Sequence, residues 1–196
     1  NFFRNHNDLR NMQGGLEAMI LAWSHAEKHF PGSKTNWLDY CRRSADWMVS
    51  RQHADGSWDK AFDNGGTSID SGKLLTSNLI RFLTYMYIVT KEECYKTAAV
   101  KAGEFCYREI HEPYKYVGSV IDNPYVKDRE SGQKIIEAFL CLYDLTKDKK
   151  WLEGASQAAY YTVTYMYAWN IPAAGGNNLM AWDSKKTTVG ITIIST

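Results

Sequence analysis

Three stretches of the chain follow one plan, and that plan restricts the fold more than any other feature. Residues 79–91, LIRFLTYMYIVTK, reappear as residues 135–147, IIEAFLCLYDLTK. A looser, earlier copy is Leu16-Glu17-Ala18-Met19-Ile20-Leu21-Ala22-Trp23. After each copy an aromatic opens a further segment: Trp37, Tyr95 and Trp151, spaced 58 and then 56 residues apart. A unit of this length is too long for one helix and fits two helices plus one long loop. The chain therefore reads as a stack of helical hairpins in a single domain over residues 1–196.

The apolar residues support helices rather than strands, because they recur at three and four rather than at two; Leu75, Leu79, Phe82, Leu83 and Met86 show the spacing. Six helices are predicted, at roughly 6–30, 35–52, 70–90, 92–109, 130–146 and 148–168. The links Thr90-Lys91-Glu92 and Thr146-Lys147-Asp148 are tight, so the helices they join lie antiparallel. Residues 53–69, 110–129 and 169–186 are long connections rich in Gly, Pro and aromatics, of the kind a compact domain keeps for use.

Charge separates two kinds of helix. The first, third and fifth are nearly uncharged, with Arg81 the lone charge between Lys73 and Lys91. The second and fourth carry Arg42, Arg43, Asp46, Lys96, Lys101 and Glu104. A helix apolar on most faces is covered on both sides. The odd helices thus form an inner layer and the even helices an outer one: an all-α, α/α toroid, here about three hairpins and so part of a full ring. All long loops gather on one face and the tight links on the other, which puts any ligand site on the long-loop face.

Composition removes several function classes. The net charge of +1 gives no field for nucleic acid or an anionic membrane. Residues 154–182 carry no charge, but Gln157, several Thr and Tyr and Pro172 argue for a covered helix plus a loop, not a membrane span. The cysteines Cys41, Cys94, Cys106 and Cys141 all fall in predicted helices without metal or redox spacing and read as buried free thiols. No nucleotide, flavin or metal motif is present, so no cofactor is expected. Gly14-Gly15 reads as a close-packing pair within the first helix. The chain begins at Asn1 without a leader and stops on an apolar run, as a processed or truncated piece of a longer protein does.

Chemistry is expected in the long loops. The second carries Asp122, Asp128 and Glu130 ahead of an inner helix, with Tyr116 and Tyr125 beside them. A helix cap and dipole keep one carboxylate ionised. A neighbour sheltered by a tyrosine has its pKa raised. Two carboxyls pushed apart in this way are what glycosidic cleavage requires. The plainer alternative also stands: Asp128 is a cap, Glu130 pairs with Arg129 or Lys134, and Asp122 makes a turn with Asn123. The first loop offers Asp59, Asp63 and Asp70 as substrate-binding carboxylates, and their spacing does not match a calcium loop. Trp58 is either a sugar platform or a plug between two hairpins. Trp169 opens the third loop as a further aromatic contact.

Some of these residues also resemble known families. Gln52-x-x-Asp55-Gly56-x-Trp58, behind Trp47-Met48-Val49, is similar to the QW motif of α/α-toroid proteins such as triterpene cyclases, although the acidic DxDD motif of those enzymes is absent. A broader resemblance rests on Asp70-Ser71-Gly72-Lys73 to Arg81-Phe82, Ala102-Gly103-Glu104-Phe105, Asp122-Asn123-Pro124, Asp128-Arg129-Glu130, and Lys149-Lys150-Trp151-Leu152 with Ala158-Ala159. These look like the six-hairpin glycosidase-like superfamily, in particular its secreted or periplasmic bacterial members. The resemblance implies an (α/α)6 toroid, a carbohydrate substrate and acidic residues in a funnel at the long-loop end, with Asp122, Asp128 and Glu130 on the matching DNP…D-x-E segment. A glycoside hydrolase is the leading reading. A non-catalytic carbohydrate-binding or scaffold module, a polysaccharide lyase and a terpene-cyclase-like toroid stay open. Three hairpins leave an open edge, which a missing chain segment or a second copy would cover.

Overall fold

The computed structural model describes residues 6–118, 126–166, 168 and 189. Six α-helices form three antiparallel hairpins: α1 (Leu9–His29) with α2 (Thr35–Arg51), α3 (Ser77–Thr90) with α4 (Glu93–Cys106), and α5 (Arg129–Thr146) with α6 (Lys149–Val163). Helix α1 packs on α3 and α3 on α5, while α2, α4 and α6 each pack on their own hairpin partner. The odd helices are the inner layer of an α/α toroid, as the charge pattern requires.

The inner helix α3 buries Leu79, Ile80, Phe82, Leu83, Thr84 and Met86 around most of its circumference. Helix α4 meets it with a small-residue face of Ala98, Ala99, Ala102 and Gly103. A Cβ on Gly103 would stand 2.2 Å from Leu142 and 3.0 Å from Trp151, so the missing side chain is what lets α4 approach α5 and α6. The repeated aromatics Tyr95 and Trp151 are buried; Trp37 is only half-buried.

The two tight links use one device. Lys91 and Lys147 adopt left-handed backbone, with φ of 61° and 60°, and donate their N–H groups to Tyr87 and Tyr143 carbonyls. In each link the preceding threonine hydroxyl bonds back to the helix, Thr90 to Met86 and Thr146 to Leu142, and accepts the N–H two residues on. This satisfies the carbonyls that a helix end leaves open.

Several expectations need correction. Helix α3 starts at Ser77, not near 70, because Ser68–Asp70 is a strand (β3) paired antiparallel with Ala61–Asp63 (β2), itself paired with His6–Asp8 (β1). Helix α4 gives way at Tyr107 to a π-helical turn through His111, and α6 stops at Val163. Gly14 and Gly15 have open space where a Cβ would stand, so they make no close packing. Of the thiols, Cys41 and Cys106 are buried, Cys141 is half-buried and Cys94 is exposed. Among the described residues no helix is long and apolar enough to cross a membrane; the third long loop lies outside them.

Candidate functional site

The first two long loops meet at one end of the toroid. Lys60, Asp70, Gly72, Leu74 and Leu75 from the first, and Val117 and Gly118 from the second, line a cleft of about 230 Å³. A shallower apolar groove of about 360 Å³ runs between α1 and α2 over Met12, Tyr40, Arg43, Ser44 and Trp47. Only the cleft combines both loops with a charged pair, Lys60 and Asp70 at 3.4 Å.

The first loop is locked onto the outer layer by the segment from Gln52 to Trp58. The Gln52 amide donates to the Gly56 and Ala98 carbonyls, both at 2.9 Å. Asp55 accepts from Ser57 N–H at 3.0 Å and Oγ at 2.6 Å, and pairs with Lys73 at 2.8 Å. Burial works to raise its pKa, but the bonds from Lys73 and Ser57 outweigh it and hold the carboxyl well below the usual range. Gly56 has φ of +93°, and a Cβ there would lie 2.3 Å from the Lys101 carbonyl oxygen, so only glycine lets the turn rest on α4. Trp58 is 0% exposed and donates its indole N–H to Met48 O at 2.7 Å. It is the plug between hairpins, and a ring with no exposed face offers a sugar no platform.

The remaining expected residues are placed as follows. Asp59 bonds His53 at 2.9 Å. Its burial is outweighed by bonds from Ser68 and His53, which lower its pKa. Asp63 accepts from the Gly65 and Thr67 N–H groups, each at 2.8 Å, and Asp70 from Gly72 N–H at 2.9 Å, so both shape turns. Tyr116 is 0% exposed, stacked 4.3 Å from Tyr161, with its hydroxyl donating to His111 Nδ1 at 2.6 Å. It too is core rather than platform. Burial lowers the pKa of His111, whose Nε2–H donates to Gln157. Asp128 is 1% exposed and caps α5 by accepting from Ser131 N–H at 2.6 Å. Glu130 takes a bidentate pair from Arg10 at 3.0 and 2.7 Å, not one from Arg129 or Lys134. Asp122, Tyr125 and Trp169 lie outside the described residues.

A second group of charged residues stands partway along the inner helices, with Glu17 the ninth residue of α1, Arg81 the fifth of α3 and Glu137 the ninth of α5. Arg81 of α3 sits between Glu17 of α1, at 3.7 Å, and Glu137 of α5, at 3.6 Å. Both contacts are longer than hydrogen bonds. The Arg81 guanidinium instead donates from Nε to Tyr85 Oη at 2.9 Å and lies 5.4 Å over the Tyr85 ring. Glu137 is held by Gln133 at 2.9 Å and Lys134 at 3.1 Å, and Gln133 in turn accepts from Arg129 at 2.8 Å.

The two glutamates have opposite protonation tendencies. Burial raises the pKa of Glu17, and Gln13, Arg81 and Lys134 offset it only in part. Burial also works to raise Glu137, but Gln133, Lys134 and Arg81 overcome it and hold that carboxyl below the usual range. Glu17 is 7% exposed, and its Oε1 has no hydrogen-bond partner among the described residues; nor has either amide atom of Asn78, which is 2% exposed and one turn before Arg81. Native proteins leave few such groups, and a catalytic role is one of the reasons they are kept.

The loop-centred reading passed over this row. The signal was present: Glu17, Arg81 and Glu137 hold the same position within their repeats, as Leu-Glu-Ala, Ile-Arg-Phe and Ile-Glu-Ala. Each is a charge inside an otherwise apolar helix segment.

Neither a protein family nor a curated protein sequence matches the chain. Solved structures do. A GH76 α-mannanase from Bacteroides thetaiotaomicron matches with a TM-score of 0.62 at 13% identity, over 86% of this chain and 48% of that one. A D-mannose isomerase matches with a TM-score of 0.57 at 15% identity, over 79% and 40%. A polysaccharide lyase matches with a TM-score of 0.53 at 17% identity, over 65% and 22%. The chain shares the α/α-toroid fold of these structures. The chain spans less than half the length of each of these neighbours.

Proposed function

We propose that this chain is the carbohydrate-active part of a toroid protein and that its chemistry is hydrolysis of a glycosidic bond in a poly- or oligosaccharide. The observation that carries the reading is the pair Glu17 and Glu137: two carboxyls from different inner helices on either side of Arg81, at 3.7 and 3.6 Å, one with its pKa raised by burial and the other with its pKa lowered by its partners. Glycoside hydrolysis needs such a division of roles. Similar toroids named as a mannanase, a mannose isomerase and a polysaccharide lyase all act on sugars by name, which supports the substrate class.

In this reading Glu17 gives its proton to the leaving glycosidic oxygen as the bond to the anomeric carbon breaks. In inversion the Glu137 carboxylate accepts a proton from the water whose oxygen forms the new bond; in retention it bonds the anomeric carbon itself, and water deprotonated by Glu17 then displaces it. Their shared contact to one Arg81 nitrogen caps the separation of the two oxygens at the sum of 3.7 and 3.6 Å. That limit admits the spacing of about 5–5.5 Å used in retention and the lower part of the inverting range of about 6.5–9.5 Å. The anomer of the first product distinguishes them.

The second reading is a carbohydrate-binding module without catalysis. It is favoured by Asp128 and Glu130, whose carboxyls are engaged in a helix cap and an ion pair. Release of reducing ends from mannose-containing and other oligosaccharides separates the two. Glu17→Gln and Glu137→Gln are each expected to lower hydrolysis by about a hundredfold or more while the fold is kept. Substitution of Asp122, Asp128 and Glu130 to Asn or Gln forms the comparison arm. Binding without hydrolysis by the unmodified chain supports the module. Full hydrolysis by both glutamine variants removes the pair from the mechanism.

A further inference from the structure

We infer that Tyr85 is a positioning residue: it parks the Arg81 guanidinium on its ring and hydroxyl and so keeps Arg81 from closing onto Glu17 and Glu137. The inference rests on the reading of those two carboxyls as the acid and base of the site.

The geometry is specific. Tyr85 follows Arg81 by one helical turn on α3, the spacing at which side chains on one helix meet. It takes the Nε–H at 2.9 Å and underlies the guanidinium at 5.4 Å, so it engages both the edge and the face of that group. The carboxylates on either side receive only contacts of 3.7 and 3.6 Å. Charge-assisted arginine–carboxylate bonds settle at about 2.7–2.9 Å when nothing opposes them. The same chain makes such a bond between inner helices where no tyrosine intervenes: Arg10 reaches Glu130 at 2.7 Å in the first turns of α1 and α5.

The consequence for Glu17 follows from every charged or titratable group around it. These are Arg81 from α3 and Lys134, Glu137 and Cys141 from α5, with the Gln13 amide from its own helix. Of the two cations, Lys134 is engaged at 3.1 Å by Glu137, and Arg81 is the one that Tyr85 restrains. A cation that closes to hydrogen-bond distance lowers a carboxyl pKa by about 1–3 units. Such a fall would take the proton that the acid role requires. Tyr85 thus acts on the chemistry without touching the reacting atoms.

The test combines carboxyl titration with activity. The Glu17 carboxyl is followed by carbon NMR on glutamate-labelled protein in the unmodified chain, Tyr85→Phe, Tyr85→Leu, Arg81→Gln and the double variant Tyr85→Leu with Arg81→Gln. Expected is a downward move of the Glu17 titration in Tyr85→Phe and a larger one in Tyr85→Leu, which loses the ring as well. In the Arg81→Gln background Tyr85→Leu is expected to move it little, because the effect runs through Arg81. The alkaline limb of the hydrolysis rate is expected to shift by the same amount. An unchanged Glu17 titration in both Tyr85 variants, or an equal shift with Arg81 absent, overturns the inference. Shifted titrations in a chain that hydrolyses no sugar uphold the role of Tyr85 and overturn the proposed function instead.

Discussion

Two polar regions of this molecule look alike in composition and differ in how their atoms are used. The lock from Gln52 to Trp58 pairs the Gln52 amide, the Asp55 carboxylate and the Trp58 indole with defined partners at 2.6 to 3.0 Å. The inner row of Glu17, Asn78, Arg81 and Glu137 keeps its ion pairs beyond hydrogen-bond length and leaves Glu17 Oε1 and both Asn78 amide atoms without partners among the described residues. Fully paired polar groups fix one conformation; partly paired ones cost stability and persist where something else uses them. The lock is therefore architecture, and the row is where the proposed chemistry is set.

The contrast can be broken by substitution. The largest effect is expected for Gly56→Ala, which forces a side chain against the Lys101 carbonyl at a positive φ. Overpacking and backbone strain together predict a loss of about 3 kcal/mol or more in a denaturant titration. A loss near zero would mean that the turn does not rest on α4. Trp58→Phe keeps most of the buried ring but removes the bond to Met48 O. It is expected to cost about 1–3 kcal/mol, with oligosaccharide affinity unchanged; a fall in affinity at constant stability would return Trp58 to the binding surface.

Asn78→Leu sharpens the comparison from the other side. Replacing an amide with no partner by an apolar group of similar size is expected to leave stability unchanged or raise it by up to about 1 kcal/mol. A loss as large as that of Trp58→Phe would show the row to be as architectural as the lock. The smallest effect is a pH dependence. The folded pKa of Glu17 is raised above its unfolded value. Its contribution to stability is thus fully present below the unfolded pKa and is lost as pH rises through the folded one. Glu17→Gln removes that loss, so the variant should gain on the unmodified chain as pH rises through the window. Thermal melts in a pH series check the slope, and parallel slopes would contradict the raised pKa.

The repeat made most of the fold legible. The repeated apolar segments, matched threonine–lysine links and the split between charged and uncharged helices are local patterns, and they specify hairpins, layers and the end on which the first two long loops meet. The three-residue strands were not legible, because Ala61–Asp63 and Ser68–Asp70 are too short to display a period of two. The extended β3 and the turn held by Asp70 on Gly72 N–H displaced the start of α3. Among the site candidates, carboxylates in the loops were readable as residues but not as roles. Whether Asp128 caps a helix or meets a ligand depends on burial, and Glu130 found its partner in Arg10, far away in sequence. The row across α1, α3 and α5 was visible only as isolated charges, and a tertiary arrangement was needed to bring Glu17 and Glu137 to either side of Arg81.

The central claim is that these two glutamates hold different protonation states in one site. Carbon NMR titration of labelled glutamate carboxyls in the unmodified chain, assigned through Glu17→Gln and Glu137→Gln, reads it directly. The account predicts that Glu17 loses its proton above the ordinary glutamate range and Glu137 below it. Both carboxyls titrating together at the ordinary value would contradict it.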